Sequence, residues 1–357
     1  MIKDRMIYRW LWSCLMAGGL LLTGCTDKHE EEPLPESEQG SPLELQALTR
    51  TDNATKIENP EYAIRAYLTE ANSVVKEDGL FEYTGTGWSS NLSVKEEHQY
   101  YLYGFMPSDI GGTFAKPDGG DYSDGVDITF NNIPDITDLD VCVVVGVQRV
   151  ENKDEDANVQ EGNYSYMSGI VGKNFVHLLM GHLYSSLQLS FKIDDEYSLL
   201  RSIRLKEVKL NSSYGNVNTK VMIRKGSGVG TPTFTKVGGE PNSPVMFLDP
   251  DPDSGTPDLP VTIDRNYIVN AKTLDRLVYC APGIFDVDGT YVSITSTYDV
   301  LDKKGNNLGE RTSTNKLKIT ASSLAPGQKK NVILTVKPTY LYVLSDNDLD
   351  NPVLTIE

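Results

Sequence analysis

From residue 41 onward, the chain consists of short apolar or alternating segments separated by turn-forming residues. Residues 141–147 are an almost continuous β-branched run, which predicts a strand buried on both faces. No helical periodicity is sustained, so the sequence predicts an all-β chain built from sandwiches. The other predicted strands are 62–68, 101–105, 187–193, 205–210, 220–223, 291–298, 317–319 and 331–336, with clusters of Gly, Asn, Asp and Pro between them. Residues 175–183 are an apolar stretch whose type the pattern leaves open.

The N-terminal segment has the organisation of an export signal. Lys3, Arg5 and Arg9 precede an apolar run at 11–22, which is too short to span a bilayer comfortably. The run leads into Leu-Thr-Gly and Cys25, a pattern that resembles the lipobox of bacterial lipoproteins, whose cysteine is diacylated and becomes the mature N-terminus. We therefore predict a signal peptide at 1–24 and lipidation of Cys25. The alternative is an ordinary signal peptide with an incidental cysteine.

Residues 26–40 predict a spacer between the lipid and the folded part of the chain. This segment is acidic, contains prolines and has almost no apolar side chains, which is typical of a disordered tether. An acidic stretch directly after a lipidated cysteine also resembles the signal that sends some lipoproteins to the outer face of the outer membrane. We therefore expect a precursor anchored in the cell outer membrane.

The charge of the chain limits its partners. It has 33 Lys and Arg residues against 50 Asp and Glu residues. Loss of residues 1–24 would remove three basic residues and Asp4, leaving 30 against 49 and a net charge of −19. This excess argues against nucleic acid and against electrostatic binding to anionic lipid. Beyond Cys25, the apolar neighbours of Cys142 and Cys280 predict buried free thiols, with a single disulfide as the alternative.

Residues 41–50 predict a short strand followed by an exposed loop. Leu43, Leu45 and Ala47 alternate along this segment, which places them on one buried face, whereas Leu48 belongs to the opposite set. A polar, turn-prone segment begins at Arg50-Thr51, where a protease could reach the backbone. We therefore predict cleavage between these two residues.

A series of motifs gives the chain a more specific resemblance. Tyr83 is followed by Trp88, and the aromatic segment 100–107 ends in a proline. An aspartate-then-apolar strand at 138–143, a histidine-bearing segment at 175–191 and a Pro-Gly turn leading into a strand at 324–336 complete the series. In this order, and together with the lipobox and the arginine loop, they resemble the fimbrillin family of type V pilin subunits over most of residues 41–357. Cys142 and the acidic loop at 249–258 fit no pattern of that family.

The resemblance implies two tandem transthyretin-like β-sandwich domains, which we place at 51–172 and 173–357. It also implies that an arginine-specific protease removes residues 25–50, and that a strand from a neighbouring subunit fills the opened groove. The residues supply a physical reason, because this loss would take Leu43, Leu45 and Ala47 from a core and leave an unpaired sheet edge. The implied partners are other pilin subunits, the protease, the outer membrane through the precursor's lipid, and a host or bacterial surface ligand.

The C-terminus contains a candidate donor strand. Val353, Leu354, Thr355 and Ile356 form a short apolar segment after a polar hinge at 345–351. Residues 340–344 also alternate and could form the first half of a longer donor. The alternative is that the C-terminal strand completes its own domain.

Metal and catalytic signals are weak. Asp249, Asp251 and Asp253 mimic the start of a calcium loop, but a proline stands at its twelfth position, where such a loop needs a bidentate Glu. His177 and His182 have no acid or cysteine at ligand spacing in the sequence, so we interpret them as core or edge residues. Motifs of serine hydrolases, phosphate loops and dinucleotide sites are absent from the sequence. We therefore expect no catalytic residue, metal, cofactor or enzymatic activity.

Three classes of function follow from these observations. A structural pilus subunit, stalk or tip, that serves adhesion explains the lipid signal, the arginine loop and the sandwiches together; Arg50 argues against a permanent anchor. A carbohydrate-binding surface lipoprotein is the alternative, and it would need exposed aromatic residues as a sugar platform, for which Trp88 is the candidate. A glycosidase is a more distant third, because no acid pair is recognisable.

Overall fold

The structure is a computed structural model that describes residues 40–50, 62–70, 75–212, 215–237, 244–249, 260–282, 292–317, 325–338 and 352–356. Strands make up most of these ranges, which confirms the predicted all-β class. Helical structure in the described ranges is limited to single turns. In α1 (Asp195–Ser198), the side chain of the N-cap residue Asp194 accepts a hydrogen bond from the backbone N–H of Tyr197. A 3₁₀ turn covers Arg265–Tyr267.

The strands fall into two groups along the chain, before and after residue 183. The first group is β1 (Ser41–Pro42), β2 (Glu44–Arg50), β3 (Ile64–Glu70), β4 (Val75–Tyr83), β5 (Trp88–Ser90), β6 (Ser93–Val94), β7 (Gln99–Met106), β8 (Gly112–Ala115), β9 (Gly125–Pro134), β10 (Ile136–Thr137), β11 (Cys142–Val150), β12 (Ser165–Met167) and β13 (Phe175–His182). The second group is β14 (Ser185–Ile193), β15 (Ser202–Ser212), β16 (Asn216–Arg224), β17 (Gly228–Val229), β18 (Thr233–Val237), β19 (Val245–Leu248), β20 (Val261–Ile263), β21 (Lys272–Thr273), β22 (Val278–Cys280), β23 (Val292–Leu301), β24 (Asn307–Leu317), β25 (Lys329–Lys337) and β26 (Val353–Ile356).

Sheet 1 has the strand order β2-β13-β11-β7-β3-β4-β5, and β12 also pairs with β7. Strand β2 lies at one end of this order and runs parallel to β13, whereas β13 and β11 are antiparallel. The sequence pattern does not decide whether the apolar stretch at 175–183 is a helix or a strand; in the structure, residues 175–182 form strand β13. The remaining described strands form three further sheets and the two-stranded pair β1–β6. Sheet 2 has the order β17-β16-β9-β8, and β18 also pairs with β16. Sheet 3 has the order β10-β22-β14-β25-β26 with β21 on β14, and sheet 4 has the order β19-β15-β23-β24 with β20 on β15.

Both faces of sheet 1 are buried. On β11, Val144 and Val147 point into a first core, whereas Val143 and Val145 point into a second core, so the prediction of a doubly buried strand is confirmed. The first core contains side chains from β2, β3, β7, β11 and β13. The second core continues from the opposite face of sheet 1 into sheets 2, 3 and 4.

The predicted domain boundary at residue 172 falls between β12 and β13. Strand β13 nevertheless belongs to sheet 1, together with β11 and β7, while β14 belongs to sheet 3. The chain therefore crosses from sheet 1 to sheet 3 between His182 and Ser185. The division into two transthyretin-like domains stays a prediction.

Candidate functional site

Residues 41–50 form two short strands, each of which pairs with a different strand of the protein. Strand β1 pairs with β6, and β2 pairs along β13 from Glu44 opposite Phe175 to Arg50 opposite Met180. Between these two strands, the backbone N–H of Leu43 donates to the carbonyl of Leu92 at 2.9 Å. Strand β2 therefore forms the outermost part of sheet 1, beside β13.

The apolar side chains of this segment are part of the first core. Leu43 and Leu48 are fully buried, and Leu45 is 2% exposed. Leu48 is buried although the alternation assigns it to the outer face, because the register of β2 against β13 shifts between Val176 and His177. The side chain of Ala47, predicted to face the core, lies outside what the structure describes. Removal of residues 41–50 would thus leave a groove lined by the first core, which we call the β2 groove.

A charged group lies at the end of β2. The guanidinium Nη2 of Arg50 is 3.1 Å from Oδ2 of Asp140, whose side chain is 7% exposed. The other carboxylate oxygen of Asp140, Oδ1, is 2.8 Å from Nδ1 of His182. An ionised carboxylate accepts but does not donate, so a hydrogen bond between these two atoms requires the His182 tautomer that has its proton on Nδ1. Asp140 therefore bridges the last residue of β2 and the last residue of β13.

Cys142 completes this group, which we call the Asp140 cluster: Arg50, Asp140, Cys142 and His182. Cys142 lies directly opposite His182 in the β11–β13 pairing, and its Sγ is 3.4 Å from Nδ1 of His182. The spacing of Asp140 and Cys142, two residues apart at the start of β11, puts both side chains on the same face. The cluster is thus formed where β2, β11 and β13 come together.

Asp140, Cys142 and His182 are residue types that bind zinc, and their ligand atoms lie within 4.8 Å of one another. The interpretation of His182 as a residue without ligand neighbours is correct only along the sequence, because the fold places an acid and a cysteine beside it. The alternation in Asp140-Val141-Cys142 is the sequence signal that could have indicated the pair. In this structure the Arg50 guanidinium is the cation on Asp140. The absence of a metal stays a prediction.

The candidate donor strand is paired within its own chain. Strand β26 runs antiparallel to β25, and Leu354 is 3% exposed. The amide of Asn315 donates to the carbonyl of Leu354 at 2.7 Å. Donation of Val353–Ile356 to another subunit would require these residues to leave sheet 3, and their donor role stays a prediction.

Other predicted site residues are separate from the cluster. Trp88 is half-buried and packs edge-on against Tyr83 at 5.5 Å between ring centroids, on the margin of the first core. Cys142 and Cys280 are buried free thiols, as predicted, and lie in sheets 1 and 3. Cys25, residues 26–39 of the tether, Thr51, residues 250–259 and the hinge at 345–351 lie outside the described residues. Within the described ranges, no helix has the length and apolar character needed to cross a membrane.

The matches of this chain to known proteins are distant ones among solved structures. No family model and no curated protein matches the sequence. Among solved structures, a "putative cell adhesion protein" from Bacteroides uniformis is 11% identical with a TM-score of 0.40, over 89% of this chain and 98% of the other. A protein of the same description from Bacteroides ovatus is 13% identical with a TM-score of 0.40, over 89% and 96%. A fimbrial protein from B. ovatus is 10% identical with a TM-score of 0.33, over 83% and 49%. Identities and TM-scores this low assign no function to this chain.

Proposed function

We propose that the chain is a structural subunit, stalk or tip, of a cell-surface fimbria that serves adhesion. In this proposal it is exported as a precursor with a lipid on Cys25, cut between Arg50 and Thr51, and assembled by strand exchange. The observation that carries the proposal is the position of residues 41–50. Residues 44–50 form the outermost strand of sheet 1, and the whole segment contributes buried leucines to the first core and ends in an arginine.

The packing of this segment supports exchange with another strand. Leu43, Leu45 and Leu48 each bury a side chain whose removal from water is worth roughly 1.5–3 kcal/mol. Loss of the segment would expose the apolar lining of the β2 groove and the backbone donors and acceptors of β13. Both deficits are relieved when an apolar strand from another chain pairs with β13. The trimmed chain would therefore be a receptor for an apolar strand.

The alternative function, carbohydrate binding, receives less support from the described residues. A sugar platform needs an aromatic face that is open to solvent. The candidate residue, Trp88, instead lies beside the first core and against Tyr83. We therefore retain the fimbrial subunit as the proposed function.

The test of the proposal is the N-terminal residue of the protein recovered from the cell surface. Peptide mapping should find mature chains that begin at Thr51, and an Arg50→Gln variant should accumulate as chains that begin at Cys25. A Cys25→Ala variant should lose the label of a fatty-acid analogue and its retention in the membrane. Mature surface chains that begin only at lipidated Cys25 would overturn the proposal and favour an anchor or a carbohydrate-binding lipoprotein.

A further inference from the structure

The β2 groove has a charged end as well as an apolar lining. Arg50 is the one basic residue within 41–50, and it lies at the end of β2 where it meets Asp140. The apolar contacts of the groove come from Leu43, Leu45 and Leu48. A strand that supplied only leucine-like side chains would therefore restore the apolar contacts of residues 41–50, but it would not restore the ion pair between Arg50 and Asp140.

Asp140 makes this end of the groove selective. Its side chain is 7% exposed, and its two carboxylate oxygens have different partners, Oδ1 at His182 and Oδ2 at Arg50. When Arg50 leaves, the carboxylate of Asp140 loses the guanidinium beside Oδ2, and a new strand that covers Asp140 without a cation would bury this carboxylate unbalanced. A charge buried in protein without its partner is costly, and removal of one member of such a pair destabilises strongly. The vacated groove therefore favours an incoming cation at this position.

The C-terminal tail of this chain does not supply such a cation. Residues 338–357 contain no Lys, Arg or His, whereas they contain Asp346, Asp348, Asp350 and Glu357. The tail would bring negative charge towards Asp140 if it entered the β2 groove of an identical subunit. In addition, Val353–Ile356 is already paired with β25 in sheet 3.

We propose that the β2 groove binds an apolar strand that carries a Lys or Arg beside Met180 and Asp140. We further propose that this strand comes from a subunit with a different sequence. The inference rests on the proposed function, since it requires that residues 41–50 depart. It adds the chemistry of the partner: leucine-like side chains for the first core and one basic residue for Asp140. Assembly at this groove is consequently between unlike chains.

The experiment measures peptide binding to the trimmed chain, recovered from cells or cut after Arg50 in vitro and freed of its N-terminal fragment. The probes are fluorescent peptides of residues 41–50 with Arg, Lys, Gln or Glu at position 50, and a peptide of residues 339–357. We expect the Arg and Lys peptides to bind at least about tenfold more tightly than the Gln peptide. The Glu peptide and the tail peptide should bind most weakly. An Asp140→Asn chain should bind the Arg and Gln peptides almost equally, which completes a double-mutant cycle.

The outcomes separate this inference from the proposed function. If the Arg and Gln peptides bind the unmutated trimmed chain equally well, the groove exists but does not select charge, and the inference is wrong. If the tail peptide binds as tightly as the Arg peptide, identical chains can assemble and the unlike partner is wrong. If none of the peptides binds, strand exchange itself fails. The comparison among peptides needs no protein variant, so it remains decisive even if Asp140→Asn does not fold.

Discussion

The hydroxyl group of Tyr298 donates a hydrogen bond to the backbone carbonyl of Pro352, over 3.0 Å. Tyr298 is a buried residue of β23, so this bond holds the start of β26 against sheet 4, while the backbone of β26 pairs with β25 in sheet 3. The C-terminal strand is therefore tied to two sheets of its own chain. This arrangement corresponds to the alternative that the sequence left open, in which the tail completes its own fold.

The packing of β26 against sheet 3 predicts that substitutions at two neighbouring residues change the free energy of unfolding by very different amounts. Leu354→Ala should lower the free energy of unfolding by about 2–4 kcal/mol, because a buried leucine leaves a cavity. Val353→Ala is the matched control in the same strand; Val353 is 36% exposed, so its loss should cost about 1 kcal/mol or less. Urea unfolding monitored by circular dichroism measures both. Equal effects would mean that β26 is not seated in sheet 3 in solution, which would favour its role as a donor.

The buried carboxylate of Asp135 predicts a stability that depends on pH. Burial raises the pKa of Asp135 to about 6, although a hydrogen bond from Ser212 acts in the opposite direction. The folded chain therefore keeps the proton at pH values where the unfolded chain has lost it. The contribution of Asp135 to the free energy of unfolding is fully present below about pH 4, and it is lost as pH rises through 6. The pKa of Asp135 is about 6 in the folded chain and about 3.8 in the unfolded chain, so its ionisation above pH 7 lowers the free energy of unfolding by roughly 3 kcal/mol.

Asp135→Asn should remove this dependence. We expect the variant to gain stability relative to the unmutated chain between pH 4 and pH 7.5, measured by urea unfolding at each pH. Asp127 is the control with the opposite sign. Burial opposes ionisation there, but hydrogen bonds from Lys220 and Arg224 leave its pKa lowered below 3.8. Asp127→Asn should therefore lose relative stability as pH rises towards about 4 and should show almost no further change above about pH 5. Parallel pH profiles for the two variants would contradict the assignment of Asp135.

The contact between Arg50 and Asp140 predicts how the proposed cleavage after Arg50 would be controlled. An arginine-specific protease must take the side chain of Arg50 into its own pocket, so the contact at 3.1 Å has to open before cleavage. Asp140→Asn removes the charge that holds the guanidinium, and we expect cleavage after Arg50 to become several-fold faster. The measurement is the rate of fragment release by mass spectrometry at fixed protease. Cleavage after the exposed Arg265, in the 3₁₀ turn, provides the internal control; an equal acceleration there would indicate general loosening.

The strands that the sequence predicts best are those with apolar side chains on both faces. Residues 142–150 form β11 because their β-branched side chains fill two cores at once, and such a run has no competing structure. Strand β24, in contrast, consists mainly of polar residues, and its members alternate between exposed and partly exposed positions. It is held by backbone pairing with β23 and by threonine contacts such as Thr295–Thr314 at 3.1 Å. Apolar periodicity cannot detect a strand of this kind.

The Asp140 cluster was beyond sequence reasoning for a different reason. Asp140 and His182 are 42 residues apart, and Arg50 reaches Asp140 only because β2 runs parallel to β13 across a long separation in the chain. A periodic pattern states which face a residue occupies, but not which strand lies next to it. Leu48 illustrates the same limit on a small scale, since a register shift brings it into the core against the simple alternation. Pairing partners, and the sites that depend on them, become visible only in the fold.

Leu48 provides the most direct test that residues 41–50 are held as a removable strand. Once the chain is cut after Arg50, only noncovalent contacts retain the N-terminal fragment, and the fully buried Leu48 is among the strongest. Leu48→Ala should destabilise the uncut precursor by about 2–4 kcal/mol. It should also release the fragment at least about tenfold faster after cleavage, because differences in affinity appear mainly in dissociation rates.

Gln46→Ala is the matched control for this measurement, because Gln46 lies in the same strand and is only partly buried. Gel filtration of samples taken after cleavage separates the bound fragment from the free one. We expect the control to release its fragment at nearly the rate of the unmutated chain. If Leu48→Ala and Gln46→Ala behave alike, the buried leucines do not retain β2, and the groove that it leaves would have little affinity for an apolar strand from any partner.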